Sequence, residues 1–193
     1  LCYDTTEFVD AIKTAKANSD IVVAIVHWGT ESSHILEQVQ IDTAKEYIDA
    51  GADIIMLPFF KTAEEVRRFL AAVDGRVKTM LLLETPEAVA ALDEILAIPG
   101  IDEIHIGLND LSIGYGLRFL FEPLANGTID MLAEKIRRKE IPFGFGGIAS
   151  LGKGLLPSEY VIMEHYRLGS NCVILSRSFC NVQGRFLHTV CPH

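Results

Sequence analysis

The fold is decided by residues 81–111, which read LLLETPEAVAALDEILAIPGIDEIHIGLNDL. Two apolar runs in this stretch are each followed by an acid, Glu84 and Asp110, and a helix-period segment lies between the runs. Thr85 suits the N-cap of that helix, and Pro86 suits its first position, where a missing N–H removes no hydrogen bond. The stretch therefore predicts a strand, a helix and a second strand, with an acid after each strand.

The same alternation of apolar runs and helix-period segments continues along the chain. Thr62 followed by Glu65 forms a capping-box pattern at the start of another helix, and Gly75 suits its end. Most of the apolar runs are continuous rather than alternating, which is typical of strands covered on both faces. Such β-α units predict a parallel sheet, with six candidate strands at 21–26, 53–57, 78–83, 103–107, 142–147 and 171–176.

The spacing of these units favours an incomplete barrel. The candidate strands begin every 25 to 39 residues, whereas a full barrel of eight units takes about 250 residues. We therefore expect an α/β fold, a TIM-type (β/α) barrel with about six of its eight units, as one partial domain over residues 1–181. Periodicity is lost after Asn181, so residues 182–193 are expected to form a tail, and Leu1 in place of Met suggests an upstream start.

Composition excludes several classes of function. The formal net charge is -9 and the isoelectric point is near 5.1, which argues against nucleic acid or an anionic membrane as partner. The four cysteines form no C-x-x-C pair, as expected of reduced thiols in the cytoplasm. No apolar stretch approaches the roughly 18 residues of a membrane span.

The two acids admit two interpretations. Parallel strands place their carboxyl ends at one rim, so Glu84 and Asp110 are expected to meet there. A pair of carboxylates is a hard-oxygen donor set suited to Mg²⁺ or Mn²⁺, with water and substrate as further ligands. Alternatively, Glu84 interacts with the dipole of the following helix, and Asp110 forms an Asx-turn or an N-cap.

Four motifs resemble the aldolase/citrate lyase (HpcH/HpaI-type) family over residues 51–181. They are GADIIMLPFFKTAEEV, LLLETPEAV, LDEILAIPGIDEIHIGLNDLS and PFGFGGIA, in that order. The resemblance implies a metal-dependent carbon–carbon lyase on a (β/α) barrel, with Glu84 and Asp110 as ligands of Mg²⁺ or Mn²⁺. It also implies a 2-oxo acid substrate such as pyruvate or oxaloacetate, and assembly into a homo-oligomer.

Further site residues follow from the same resemblance. The backbone amides around Asn109 and Asp110, in the loop after Gly107, are expected to receive the substrate carboxylate. Arg118, in the following loop, is a further candidate for binding an anionic substrate. A solvent-exposed position or a subunit contact is the alternative for Arg118, and an ordinary turn is the alternative for the loop.

The sequence departs from the family pattern before residue 51. The family's arginine at an earlier strand end is replaced by His27, which is either a catalytic residue or a structural histidine, and the usual acid–base pair has no counterpart. Residues 1–50, with the run VHWGTE, resemble capsule-synthesis proteins of the CapA type, so the chain is interpreted as a chimera joined near GADII. Two alternatives to the lyase follow: an inactive barrel fragment that binds metal, oxo acid or a partner, and a phosphoesterase-like remnant in which His27 and Glu31 lack partners.

Overall fold

The computed structural model describes residues 5–25 and 38–175 of the 193-residue chain. Within these residues, helices and strands alternate. The strands are β1 (Val23–Ile25), β2 (Ile54–Leu57), β3 (Lys78–Leu83), β4 (Glu103–Ile106), β5 (Phe143–Ile148) and β6 (Cys172–Leu175). The helices are α1 (Thr5–Asn18), α2 (Gln38–Asp49), α3 (Ala63–Val73), α4 (Pro86–Ala90), α5 (Leu92–Ile95), α6 (Leu108–Gly114), α7 (Glu122–Ala125), α8 (Thr128–Arg137) and α9 (Ser158–Leu168).

The six strands form one parallel sheet in chain order, from β1 to β6, as an open half-barrel. The predicted α/β barrel with six β-α units is therefore confirmed. The first strand begins two residues later than predicted, at Val23, and the other five begin within one residue of the predicted position. Residues 26 and 176, the predicted ends of two strands, lie outside the described residues.

The two faces of the sheet are packed differently. Ile55 and Leu81 point into the main core between the sheet and the helices. Met80 and Leu82 point to the opposite face, where they form a smaller buried cluster. Because side chains alternate along a strand, Glu84 follows Leu82 on this second face. The strand therefore carries the acid to the rim of the half-barrel interior.

Asp53 connects the amino-terminal segment to the rest of the sheet. Its carboxylate accepts a hydrogen bond from the backbone N–H of Val22 at 2.8 Å and from Nζ of Lys16 at 2.6 Å. Val23 of β1 then pairs with Ile54 of β2 in parallel register. These contacts hold the pKa of Asp53 below its usual value, with the Lys16 hydrogen bond as the largest cause.

The predicted helix starts are confirmed. The Thr62 side chain accepts a hydrogen bond from the N–H of Glu65, and the Glu65 side chain accepts one from the N–H of Thr62, which completes a capping box. Thr85 caps α4 by accepting from the N–H of Ala88 at 3.2 Å, and Pro86 is the first helical residue.

The predicted end of α3 at Gly75 is confirmed, whereas a second predicted helix is divided. Helix α3 ends at Val73, Asp74 is its C-cap in the left-handed conformation at φ 53°, and Gly75 follows directly. Aspartate tolerates that conformation better than most residues. The single helix predicted after Thr85 is divided at Ala91 into α4 and α5.

No helix within the described ranges is long and apolar enough to cross a bilayer. Location in the cytoplasm and assembly into a homo-oligomer stay predictions. The predicted tail at 182–193 lies outside the described residues.

Candidate metal and substrate site

Glu84 lies at the carboxyl end of β3, directly after Leu83, and only 2% of its surface is exposed. The preceding strand is buried along almost its whole length, so the chain enters the rim from the sheet interior. The N-cap at Thr85 then turns the chain into α4. Strand burial and helix capping together fix the backbone on both sides of this carboxylate.

The loop after β2 supplies the hydrogen bond that orients Glu84. The backbone N–H of Phe59 donates to Oε1 of Glu84 at 2.9 Å. Phe59 adopts a left-handed backbone conformation at φ 54°, which is uncommon for a bulky residue and costs on the order of 1 kcal/mol. The residue with this unfavourable backbone conformation is thus the one that donates the hydrogen bond to the buried Glu84 carboxylate.

Gly107 provides the space that Glu84 occupies on its other side. A Cβ atom at Gly107 would lie 2.8 Å from both Cβ and Oε2 of Glu84, well inside van der Waals contact. The backbone of Gly107 is extended, a conformation that any residue can adopt. Glycine is needed here because it lets the Glu84 side chain approach the backbone closely. Any larger residue at the end of β4 would displace the carboxylate.

Asp110 lies in the first turn of α6, not in a loop as the sequence predicted. Gly107 is the N-cap of this helix, and no side chain caps it, so the alternative interpretation of Asp110 as an N-cap was wrong. The Asp110 carboxylate accepts a hydrogen bond from Nδ2 of Asn109 at 3.3 Å. An acid in the first turn of a helix interacts favourably with the helix dipole.

The two predicted ligand residues interact electrostatically. The pKa of Glu84 is raised from its ordinary value to about 8, first by burial and second by the neighbouring charge of Asp110, with which it also forms a hydrogen bond. The N–H of Phe59 opposes this shift. Burial and the neighbouring acid thus favour the protonated form of Glu84 around neutral pH.

These residues line a cleft of about 350 Å³ at the carboxyl ends of β2, β3 and β4. Lys61 and Glu87 extend into it and form an ion pair with 3.0 Å between Nζ and Oε1. Exposed apolar side chains stand beside the charged groups. The lining residues are Phe59, Lys61, Glu84, Thr85, Pro86, Glu87, Asp110, Ile113 and Gly114.

The donor set of this cleft fits a hard divalent cation. The described residues contain no group of three or more His, Cys, Asp and Glu side chains placed to hold a metal ion. Two carboxylates in one cleft are nevertheless a suitable donor set, because Mg²⁺ commonly binds through one or two carboxylates plus water and substrate. Glu84 and Asp110 would hold such an ion.

The other predicted site residues are placed as follows. His27 lies outside the described residues, as does Glu31. Arg118 is exposed and is not among the residues lining the cleft, and its backbone N–H donates to Oε1 of Glu122 at 2.9 Å. Asn109 is exposed next to Asp110. The substrate-binding roles of Asn109, Gly107 and Arg118 stay predictions.

Sequence reasoning missed the contribution of the loop after β2. Phe59, Phe60 and Lys61 contact the β3–α4 turn one after another, through the Phe59 amide, the Phe60 carbonyl and the Lys61 ammonium group. The signal was present in the motif GADIIMLPFFKTAEEV, because a lysine directly before the N-cap Thr62 must lie at the strand-end rim.

The chain is similar to curated aldolases over part of its length. The chain is 26% identical to a hydroxypyruvate/pyruvate aldolase of Roseovarius nubinhibens, over 37% of this chain and 40% of that enzyme. It is 29% identical to a 2-dehydro-3,6-dideoxy-6-sulfogluconate aldolase of Pseudomonas putida, over 35% of this chain and 38% of that enzyme. These alignments span about two fifths of the curated relatives.

A solved structure shares the fold over a longer range. The HpcH/HpaI aldolase of Desulfitobacterium hafniense superposes with a TM-score of 0.68 at 18% identity, covering 91% of this chain and 73% of that one. The predicted resemblance to the aldolase/citrate lyase family is confirmed. Within this aldolase-like half-barrel, the cleft lies at the carboxyl ends of the strands, where barrel enzymes carry their active sites.

The second predicted resemblance is confirmed as well. Residues 3–56 match the family model of the bacterial capsule synthesis protein PGA_cap. The match ends within β2, next to the Asp53 contacts that connect the amino-terminal segment to the sheet. A chimeric origin of the chain stays a prediction.

Proposed function

We propose that the chain is a metal-dependent lyase of the aldolase type that acts on a 2-oxo acid, with Glu84 and Asp110 as ligands of Mg²⁺ or Mn²⁺. The observation that carries the proposal is the convergence of these two acids in one cleft at adjacent strand ends. The raised pKa of Glu84 supports a site built for a cation, because burial next to a second carboxylate is unfavourable without one. The names of the similar enzymes support the substrate class.

The residues of the cleft have distinct roles in this proposal. Glu84 is held in place by the Phe59 amide and by the close approach of Gly107, while Asp110 is presented by the first turn of α6. The backbone N–H groups of Asn109 and Asp110 would bind the substrate carboxylate, because the first turn of a helix leaves its N–H groups without intrahelical partners. The bound cation would supply Lewis-acid stabilisation of negative charge at the 2-oxo group.

Proton exchange into pyruvate tests the proposal directly. Pyruvate incubated in D₂O with the protein and Mn²⁺ is expected to exchange its methyl protons faster than with Mn²⁺ alone, as followed by NMR. Glu84→Gln is expected to abolish both the exchange and the rise in melting temperature caused by Mn²⁺. Glu94→Gln, which changes an exposed acid paired with Arg67, is the matched control. Absence of metal binding in the intact protein would contradict the proposal.

An inactive, ligand-binding half-barrel is the second candidate. No histidine is among the residues that line the cleft in the described part of the chain, so the usual imidazole base is not provided there. Loss of a general base typically removes about 10²- to 10⁴-fold of rate. Binding of Mn²⁺ and oxo acid without proton exchange would favour this candidate over the lyase.

A phosphoesterase is the third candidate, and its support is the match of residues 3–56 to a capsule-synthesis family. The two residues predicted for it, His27 and Glu31, lie outside the described residues. Hydrolysis of an aryl phosphate that survives Glu84→Gln would separate it from the aldolase-type site.

A further inference from the structure

Lys61 occupies a fixed position at the rim of the cleft. Its backbone N–H donates to Oε2 of Glu65 at 2.8 Å, which extends the capping box of α3 by one residue. The preceding residue is held as well, because Oγ1 of Thr85 donates to the Phe60 carbonyl at 2.8 Å. The Lys61 backbone is therefore anchored from both α3 and the β3–α4 turn.

The Lys61 side chain enters the cleft and is largely shielded from solvent. Its side chain is 23% exposed, whereas its partner Glu87 is 54% exposed. Because Glu87 is exposed, the pair contributes only about 0–1 kcal/mol to stability, which gives little reason for a largely shielded lysine here. The ammonium group can exchange Glu87 for another anion at small cost.

The charges of the cleft make this lysine distinctive. Among the nine described lining residues, Lys61 is the cation, and it stands against the three carboxylates of Glu84, Glu87 and Asp110. A divalent cation at Glu84 and Asp110 would leave the Lys61–Glu87 pair as the remaining charges. An anionic group of the substrate would then compete with Glu87, and not with the other two carboxylates, for the Lys61 ammonium group.

The order of the strands indicates on which side of Glu84 the Lys61 side chain lies. Lys61 follows β2, Glu84 follows β3 and Asp110 follows β4, and these strands are neighbours in that order. Adjacent strands are about 4.8 Å apart, so the ends of β2 and β4 are separated by roughly 10 Å. Lys61 therefore lies on the far side of Glu84 from the α6 turn.

We propose that Lys61 is the specificity-determining residue that binds a second anionic group of the substrate, at the end distant from the 2-oxo acid. This inference rests on the proposed function, because it needs the 2-oxo carboxylate to lie near Asp110. The substrate class is then a 2-oxo acid with a second carboxylate or a comparable anion. Glu87 forms the ion pair with the Lys61 ammonium group when that substrate is absent.

A matched pair of oxo acids tests the inference. The ligands are 2-oxoglutarate and 2-oxopentanoate, which have the same carbon chain and differ in the distal carboxylate. Their dissociation constants are measured by calorimetry on the Mn²⁺-loaded full chain. The wild type is expected to bind 2-oxoglutarate about 10- to 100-fold more tightly, as is typical of a hydrogen bond to a charged group.

The variants separate a binding role from a structural one. Lys61→Met is expected to reduce the preference for 2-oxoglutarate over 2-oxopentanoate to within about 3-fold, while the affinity for 2-oxopentanoate stays unchanged. Lys61→Arg keeps the positive charge and is expected to keep most of the wild-type preference. Glu87→Gln is expected to tighten 2-oxoglutarate binding, because a competing carboxylate is removed. Lys135→Met, which changes a lysine paired with Asp93 outside the cleft, is the control and is expected to keep the wild-type preference.

Each failure has its own signature. A wild-type protein that does not bind Mn²⁺ would overturn the proposed function itself. If Lys61→Met binds Mn²⁺ and still prefers 2-oxoglutarate as strongly as the wild type does, the role of Lys61 is overturned while the proposed function stands. If that variant also has a lowered melting temperature, Lys61 has a structural role instead.

Discussion

The backbone N–H of Phe59 donates a hydrogen bond to Oε1 of Glu84 at 2.9 Å, so that the end of one strand orients the acid at the end of the next. The donor residue has a left-handed backbone, and the acceptor is almost fully buried. This hydrogen bond fixes one oxygen of the buried carboxylate, whose pKa is also raised by the neighbouring Asp110.

Glu84 makes the stability of the metal-free protein depend on pH. Its pKa is raised from 4.5 to about 8, so the folded state holds a proton that the unfolded state has already released in this range. The contribution of protonated Glu84 to the free energy of unfolding is fully present below pH 4.5 and is lost as the pH rises towards 8. The loss is on the order of a few kcal/mol.

Glu84→Gln is expected to remove this dependence, since an amide does not titrate and its oxygen can still accept from Phe59. Chemical denaturation at pH 5 and pH 8, in the presence of EDTA, measures it. An unchanged pH slope in the variant, with Glu94→Gln as the matched control, would contradict the assignment.

Asp110→Asn is expected to lower the pKa of Glu84, because the neighbouring charge is the second cause of its rise. Burial remains, so the pKa is expected to stay above its ordinary value. Carbon-detected NMR of the glutamate carboxyl groups would follow the titration, with Glu84→Gln used to assign the resonance. The same variant is expected to lose Mn²⁺ binding. A Glu84 titration that is identical in the variant would show that the two acids are not coupled.

Gly107→Ala is expected to weaken the site without preventing folding. The added Cβ would lie 2.8 Å from Cβ and Oε2 of Glu84, and the Glu84 Cβ is fixed to a buried strand, so the carboxylate must move. We expect a loss of about 1–3 kcal/mol in stability and a large loss of Mn²⁺ affinity. Gly147→Ala is the control, because its Cβ would meet only the carbonyl oxygen of Ile174 at 3.8 Å. Equal Mn²⁺ affinities in the two variants would contradict the prediction.

His165 is expected to destabilise the protein as the pH falls. Its ring stacks on Phe145 with centroids 3.8 Å apart, and Nδ1 lies 2.8 Å from Oγ of Ser170. The Ser170 hydroxyl donates to the carbonyl of Cys172, so Nδ1 of His165 carries the hydrogen. Within the described residues Nε2 is buried without a partner, and a second proton there would have no acceptor.

Burial accordingly lowers the pKa of His165 to about 4, with a smaller contribution from His105. The unfolded state binds a proton near pH 6.5 and the folded state does not, so this residue removes stability as the pH falls from 6.5 to 4. His165→Phe keeps a stacked ring and is expected to recover about 1–3 kcal/mol at pH 5 relative to pH 7, measured by urea denaturation. Tyr166→Phe, at an exposed neighbouring position, is the control. A pH profile that is the same in all three proteins would disprove the assignment.

Much of the fold followed from local pattern in the sequence. Continuous apolar runs located all six strands, and the hydroxyl-to-acid spacing at Thr62 and the Thr85–Pro86 pair located two helix starts, because these signals act within a few residues. The helix that contains Asp110 was missed, since it is short and begins at a glycine without a side-chain cap. The loop after β2 was missed for a related reason: a left-handed phenylalanine has no sequence signature.

The sequence by itself determined that two acids follow adjacent strands and would share a rim, because parallel strands in chain order leave no other arrangement. Only the tertiary structure decided what surrounds them. The Phe59 amide, the space at Gly107 and the Lys61–Glu87 pair come from three different β-α units, and their distances depend on how the units pack. Burial is likewise a property of the whole sheet, and it is burial that raises the pKa of Glu84 and makes this acid suitable for a cation.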